Sequence, residues 1–175
     1  MKILKGIFYV ILAIIALFLI VALFLPSEYK VERSVQINKP VGVVYDYVAD
    51  FNNFHEWNPW TQFEPGHSYE VSGDSAAVGQ KYFWKGEIIG SGQMIFTNLK
   101  QNESINATIE FLPEQGTGVV EWIFDGDSTS TSVNWILTGS ADYPVGRYMG
   151  IMMDSFLGQN FEDGMQKLKE KCEAK

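Results

Sequence analysis

Hydrophobic residues are distributed along this chain in two regimes. From Gly6 to Leu25, twenty consecutive residues carry no charge, and fifteen of them are Leu, Ile, Val or Phe. At about 1.5 Å rise per residue this stretch spans roughly 30 Å as a helix, the hydrocarbon thickness of a bilayer. Each such residue near the helix centre favours insertion by roughly 0.3 to 0.6 kcal/mol. We read a transmembrane signal-anchor helix over residues 1–25, a short linker over 26–30, and one domain over 31–175. A cleaved signal peptide is the competing reading, with Lys2 and Lys5 as its basic region. Against it, a typical signal h-region runs only about 7 to 15 residues, and no small-x-small cleavage site precedes Pro26.

After Pro26 the pattern alternates. Val31, Val35 and Ile37 interleave with Glu32, Ser34 and Gln36, the period of a half-buried strand with Arg33 in the apolar phase. Asn38-Lys39-Pro40 marks a helix start, followed by Val41, Val44, Tyr45 and Val48 at helical spacing. A second short helical or turn segment runs from Phe51 to Trp60. From about Tyr69 to Thr138, strand follows strand. Turn residues punctuate them at Ser72-Gly73-Asp74, Gly90-Ser91-Gly92, Gln101-Asn102, Gln115-Gly116 and Asp125-Gly126-Asp127. Connections this short predict an antiparallel meander.

Side-chain alternation fixes the facing. Val120, Trp122 and Phe124 oppose Glu121; Val133, Trp135 and Leu137 oppose Ser132 and Asn134. Ile105, Ala107, Ile109 and Phe111 share one face, as do Tyr82 and Trp84. One side of the sheet is thus rich in large aromatics and needs a cover. The segment from about Val145 to Lys171 supplies it: Met149, Met153, Leu157, Phe161, Met165, Leu168 and Cys172 fall on one helical stripe, widened by Met152 and Phe156.

Charge narrows the function. Residues 26–175 hold eleven basic and all 21 acidic residues, a formal charge of −10, which makes nucleic acid a poor partner. Lys2, Lys5 and the terminal amine outweigh the mixed flank of Glu28, Lys30, Glu32 and Arg33. The N-terminus is therefore expected in the cytoplasm and the domain outside the cell membrane, periplasmic or extracellular. A single cysteine, Cys172, precludes an internal disulfide and a cysteine-based metal site.

The element order, together with Trp57-Asn58-Pro59-Trp60, the stretch from Trp84-Lys85-Gly86 to Gly90-Ser91-Gly92, and the closing run Phe161 to Lys169, resembles the polyketide cyclase/dehydrase-like branch of the START-related (SRPBCC) superfamily. The resemblance covers about residues 30 to 172. It implies an α+β helix-grip fold, a curved antiparallel sheet around a long C-terminal helix, enclosing an apolar cavity. It further implies a ligand that is a lipid, sterol, polyketide or other hydrophobic molecule. Aromatic-lined pockets are the usual form of such a site, and methionine adapts to ligands of variable shape. The expected ligand-binding residues are Trp57 and Trp60 of the second helical or turn segment and Tyr82, Trp84, Phe96, Ile109, Trp122 and Trp135 of the strands. Tyr143, Arg147, Met149, Met152, Met153 and Phe156 are expected on the covering helix.

Reactive groups are sparse. The two histidines, His55 and His67, have no partner at metal-ligand spacing, so no metal or cofactor is expected. His55 is either a proton carrier at the pocket mouth or a surface histidine, and His67 reads as a loop residue. Arg147 either meets a ligand carboxylate or phosphate, or pairs with Asp142. Glu87 is either an inward acid or part of a solvated turn. Two Asn-x-Ser/Thr sequons, at Asn102 and Asn106, carry meaning only in a eukaryotic secretory setting. The leading expectation is a membrane-anchored binder of a hydrophobic or lipid-like molecule, touching the bilayer through residues 6–25. The alternatives are a cyclase, dehydratase or hydrolase in the same cavity, and a protein-interaction module. The oligomeric state is left open.

Overall fold

A computed structural model describes residues 2–113 and 116–174. Helix α1 (Lys2–Phe24) is the apolar N-terminal segment, long and apolar enough to cross a membrane. Strand β1 (Glu28–Ile37) follows after three residues, a shorter link than the five expected. Then come α2 (Val41–Val48), α3 (Phe51–Trp57) and a single 3₁₀ turn at Pro59–Gln62. Six strands succeed them: β2 (Ser68–Ser72), β3 (Lys81–Lys85), β4 (Ser91–Lys100), β5 (Ser104–Leu112), β6 (Gly116–Gly126) and β7 (Thr131–Ser140). The chain closes with α4 (Val145–Gly150) and α5 (Met153–Glu173).

The seven strands form one antiparallel sheet in the order β1-β7-β6-β5-β4-β3-β2. This is the expected meander, with the first strand returning to pair beside the last. Sheet and α5 together make the α+β helix-grip fold. The alternation assigned in the sequence holds: Val120, Trp122, Phe124, Val133, Trp135, Leu137, Ile105 and Ala107 are all buried. Two details differ. The β6–β7 turn sits at Asp127–Ser130 rather than at Asp125-Gly126-Asp127, because the Asp127 carboxylate accepts hydrogen bonds from the Thr129 and Ser130 amides. Of the turn expected at Gln115-Gly116, Gln115 lies outside the described residues.

The covering segment is two helices rather than one. α4 ends at Gly150, and α5 restarts at Met153 after a turn in which the Met152 amide donates to the Met149 carbonyl. The apolar stripe survives only from Met153 onward: Phe161, Met165, Leu168 and Cys172 are buried, whereas Met149, Met152 and Phe156 are exposed. α5 is held to β1 at its polar edge, where the Arg33 guanidinium donates to Asp154 at 2.8 Å and to Glu162 at 3.0 Å. Arg33 thus joins the inward phase of β1 without being buried, and its charge holds the Asp154 carboxyl below the usual carboxylate range. At its centre α5 lays Phe161 flat on Trp135, with ring centroids 4.0 Å apart.

α3 hangs over the open side of the sheet from one polar anchor. Asp50 caps the helix by accepting from the Asn52 amide at 2.9 Å. Gln80, 0% exposed, donates to Asp50 at 2.8 Å and accepts from the Phe51 amide at 3.0 Å. Burial raises the Asp50 carboxyl, but hydrogen bonds from Ser75, Gln80 and Asn52 outweigh it and leave the group below its usual value. Replacing Gln80 by Leu strands the buried Phe51 amide, and an unsatisfied buried donor costs about 1–3 kcal/mol. Chemical denaturation of Gln80→Leu should show that loss with an unchanged slope.

Candidate functional site

Antiparallel register aligns the inward side chains into rows across the sheet. The row nearest the α1 end contains Trp84, Gly92 and Phe111. The next contains Tyr82, Met94, Ile109, Gly118, Gly139 and Tyr29. The third contains Phe96, Ala107, Val120, Leu137 and Val31. Glycine recurs in the first two rows, and at two of these sites a neighbouring ring lies down over it. A Cβ on Gly92 would collide with the Trp84 indole and come within 2.6 Å of the Glu110 carbonyl oxygen; one on Gly139 would collide with the Tyr29 ring. Rings that lie flat on the sheet do not rise into the space beneath α5. That space is therefore left unfilled.

The result is an apolar cavity of about 100 Å³. Its floor is Tyr82, Trp84, Met94, Ile109, Phe111, Val120, Trp135 and Leu137. Its roof is Phe54 of α3, Asn58 and Trp60 of the following turn, Ile89 of the β3–β4 turn, and Leu157 and Phe161 of α5. Trp60, Ile89, Phe111 and Leu157 are only partly buried, so the cavity opens between them. Ile89 is presented by a turn that Glu64 organises. Its carboxylate accepts from the amides of Glu87, Ile88 and Ile89 at 2.8, 2.9 and 3.2 Å, and these bonds lower its pKa.

The polar content of the lining is small. Burial pushes the Tyr82 phenol up to about 12; Asn58 opposes this, although its approach falls short of a well-formed hydrogen bond. The Asn58 side-chain Oδ1 already accepts from the Trp60 amide at 2.9 Å. Tyr82 is thus a neutral donor at physiological pH.

Of the expected ligand-binding residues, the structure brings Trp60, Tyr82, Trp84, Ile109 and Trp135 together around the cavity. Trp57, Phe96 and Trp122 are fully buried behind it: Trp57 meets Trp135 edge-on at 5.4 Å, and Phe96 stacks on Phe51 at 3.7 Å. Met153 packs on the core, while Tyr143, Arg147, Met149, Met152 and Phe156 lie away from the lining, because α4 turns off before the stripe reaches the sheet. The Arg147 guanidinium donates to the Leu25 carbonyl at 2.6 Å, at the C-terminal end of α1. A cation there complements the helix dipole.

His55 stacks on Tyr69 at 4.0 Å and lies 5.4 Å from His67, outside the cavity wall; burial, then His67, lower its pKa. His67 lies in the loop before β2, as expected, and is buried there with its ring Nδ1 2.7 Å from the Glu64 carbonyl oxygen. Glu87 is exposed in the β3–β4 turn. Among the described residues no cluster of acidic, histidine or cysteine side chains could hold a metal ion. Sequence reasoning missed Phe54, Asn58, Ile89, Met94, Phe111, Val120, Leu137, Leu157 and Phe161 as lining residues. The usable signal was the phase of Gly92, Gly118 and Gly139, which sit where the alternation demands inward side chains.

Residues 28–173 match the family profile described as polyketide cyclase/dehydrase and lipid transport. No curated protein shows a significant match to the chain. Among solved structures, the chain is similar to the Zhui aromatase/cyclase from Streptomyces sp. R1128. The two are 15% identical, with 83% of this chain and 94% of that chain covered and a TM-score of 0.59. A protein from Arthrobacter aurescens is 13% identical, with 83% and 87% covered and a TM-score of 0.61. One from Chromobacterium violaceum is 16% identical, with 85% and 98% covered and a TM-score of 0.59. At these identities the likeness is one of fold.

Two outcomes follow. Gly92→Ala forces Trp84 off the sheet and crowds backbone, which should cost about 1–3 kcal/mol in chemical unfolding, as overpacking does. Because the folded pKa of Tyr82 is raised from 10.0 to about 12, its contribution is fully present below pH 10 and is lost as pH rises through about 12. Stability measured between those limits should fall less steeply in Tyr82→Phe than in the parent.

Proposed function

The chain belongs to the polyketide cyclase/dehydrase and lipid transport family, and on that premise we propose that it is a membrane-anchored binding protein for a hydrophobic small molecule. The observation that carries this reading is the cavity itself, a void lined almost wholly by apolar side chains under a helix cover. Its volume, about 100 Å³, bounds the occupant. Drug-sized pockets run to roughly 300–1,000 Å³, whereas a void of about 150 Å³ accepts benzene. The enclosed part of the ligand is therefore about one ring, or the end of an acyl chain, with any remainder in the mouth between Trp60, Ile89 and Leu157. Trp60, Tyr82, Trp84, Ile109 and Trp135 contact it; Trp57, Phe96 and Trp122 support them from behind.

In this reading α1 spans the cell membrane through residues 6–25, with the N-terminus cytoplasmic and the 31–175 domain outside. Such tethering holds the cavity within a few residues' reach of poorly water-soluble ligands. A second reading, an enzyme of the cyclase or dehydratase type, is favoured by one observation: the Tyr82 hydroxyl in the lining, beside Asn58. A phenol with a raised pKa serves as a proton or hydrogen-bond donor rather than as a base.

The test uses the full chain, purified with native lipids and released intact into a mass spectrometer, with organic extraction of what it carries. A stoichiometric apolar molecule is expected, and Ile109→Phe or Val120→Phe should abolish it by filling the void while the fold persists by circular dichroism. An empty protein that also takes up no apolar fluorophore would sink the binding reading. Loss of turnover, but not of binding, in Tyr82→Phe would move the assignment to the enzyme.

A further inference from the structure

All the strand ends nearest α1 lie at one end of the sheet: the start of β1, the end of β7, the start of β6 and the end of β5. α4 emerges from β7 at that end and touches the sheet only beside the start of β1, where Gly150 lies against Ala141 and Tyr29. It lies along α1. The Tyr148 hydroxyl donates to the Phe18 carbonyl at 2.7 Å, the Tyr143 hydroxyl to the Leu19 carbonyl at 3.1 Å, and Arg147 to the Leu25 carbonyl at 2.6 Å. The rings of Phe18 and Tyr148 stack at 4.4 Å. Ala22 is 0% exposed, the one buried residue among those of α1 whose burial is described, and its small side chain lets α4 come close.

These bonds fix how deep α4 sits. From Phe18 to Leu25 is seven residues, about 10 Å of helix at 1.5 Å per residue. If those two turns stood above the bilayer, only Gly6 to Leu17 would remain to cross it, twelve residues or about 18 Å against a hydrocarbon core of about 30 Å. The turns that α4 grips must therefore lie within the outer half of the membrane. Resting on the reading that α1 spans the bilayer, we propose that α4 and the turn into α5 are submerged in the outer leaflet, as a short helix buried among lipid chains and docked on the anchor.

The side chains fit that environment. Residues 143–153 contain one charge, Arg147, and it is turned onto α1. Val145, Met149, Ile151 and Met152 are exposed with no protein partner to explain them, and Phe156 continues the surface onto α5. Tyr143 and Tyr148 place their hydroxyls on α1 carbonyls, so neither hydroxyl is left without a partner among lipid chains. Leu157, at the cavity mouth, follows Met153 by one helical turn. The mouth then opens near the headgroups, so that a ligand passes from lipid to cavity without crossing water.

The experiment uses the full chain in lipid nanodiscs, with Cys172 replaced by Ala and single cysteines introduced at Met149, Ile151 or Met152. Each cysteine carries an environment-sensitive fluorophore. Asp74→Cys, exposed at the opposite end of the sheet, and Ala13→Cys, at mid-span of α1, serve as references. Lipids carrying a nitroxide near the top of the acyl chain should quench most of the emission at Met149, Ile151 and Met152 and little at Asp74. A deeper nitroxide should act best at Ala13. Quenching at Ala13 with water-like emission at all three α4 positions would overturn the submerged helix and leave the span intact. Absence of quenching at Ala13 as well would overturn the span and the inference with it.

Discussion

The stack of Trp135 on Phe161 ties the middle of the covering helix to the inward aromatics of the sheet, while α5 itself runs along β1, and the cavity is arranged around that stack. On the sheet side Trp135 is continued by Trp122, stacked at 6.0 Å, and by Trp57 edge-on from α3. Aromatic pairs of this kind contribute about 0.5–1.5 kcal/mol beyond the area they bury. The cluster therefore fixes α5 at its middle and leaves the two ends of the grip to differ. Away from α1 the space is filled by Phe124, Tyr45 and Leu168. Toward α1 it is not filled.

The unfilled end follows from residue volume. A curved sheet brings its inward rows together under one helix, and each row must be supplied with bulk or with nothing. Glycines in the two rows nearest α1, overlaid by Trp84 and Tyr29, remove height from the floor. Leu157 and Trp60 reach across from above without closing the gap. The same aromatic residues that look like surplus core in the sequence are thus the walls of a cavity, because of where the glycines between them fall.

The break between α4 and α5 links this cavity to the apolar helix α1. Had the cover been one helix, its Met149 and Met152 turn would have extended over the mouth. Instead α4 is held on α1 by hydroxyl and guanidinium donors that find helix carbonyls, and its apolar side chains face away from the domain. Helix α1, α4 and the cavity mouth occupy the same end of the sheet for a topological reason: β1 starts and β7 ends there.

What the sequence determined by itself was local and periodic. The apolar segment, the alternation that assigned Val120, Trp122, Trp135 and Ile109 to one face, and the meander of short connections were all readable, because each depends on spacing along the chain. The family resemblance added the grip of a sheet on a C-terminal helix. Tertiary structure alone decided which inward residues border a void and which are sealed behind it. Trp135 lines the cavity and Trp122, its neighbour across the strand pair, does not: Trp122 is sealed with Trp57 and Phe96 both edge-on to it. It also decided that Arg147 is bonded to the end of α1 and that Met149 and Met152 are exposed away from the cavity. Helical periodicity is blind to a two-residue turn at Ile151-Met152, and only the position of a distant segment shows what an apolar side chain is turned toward.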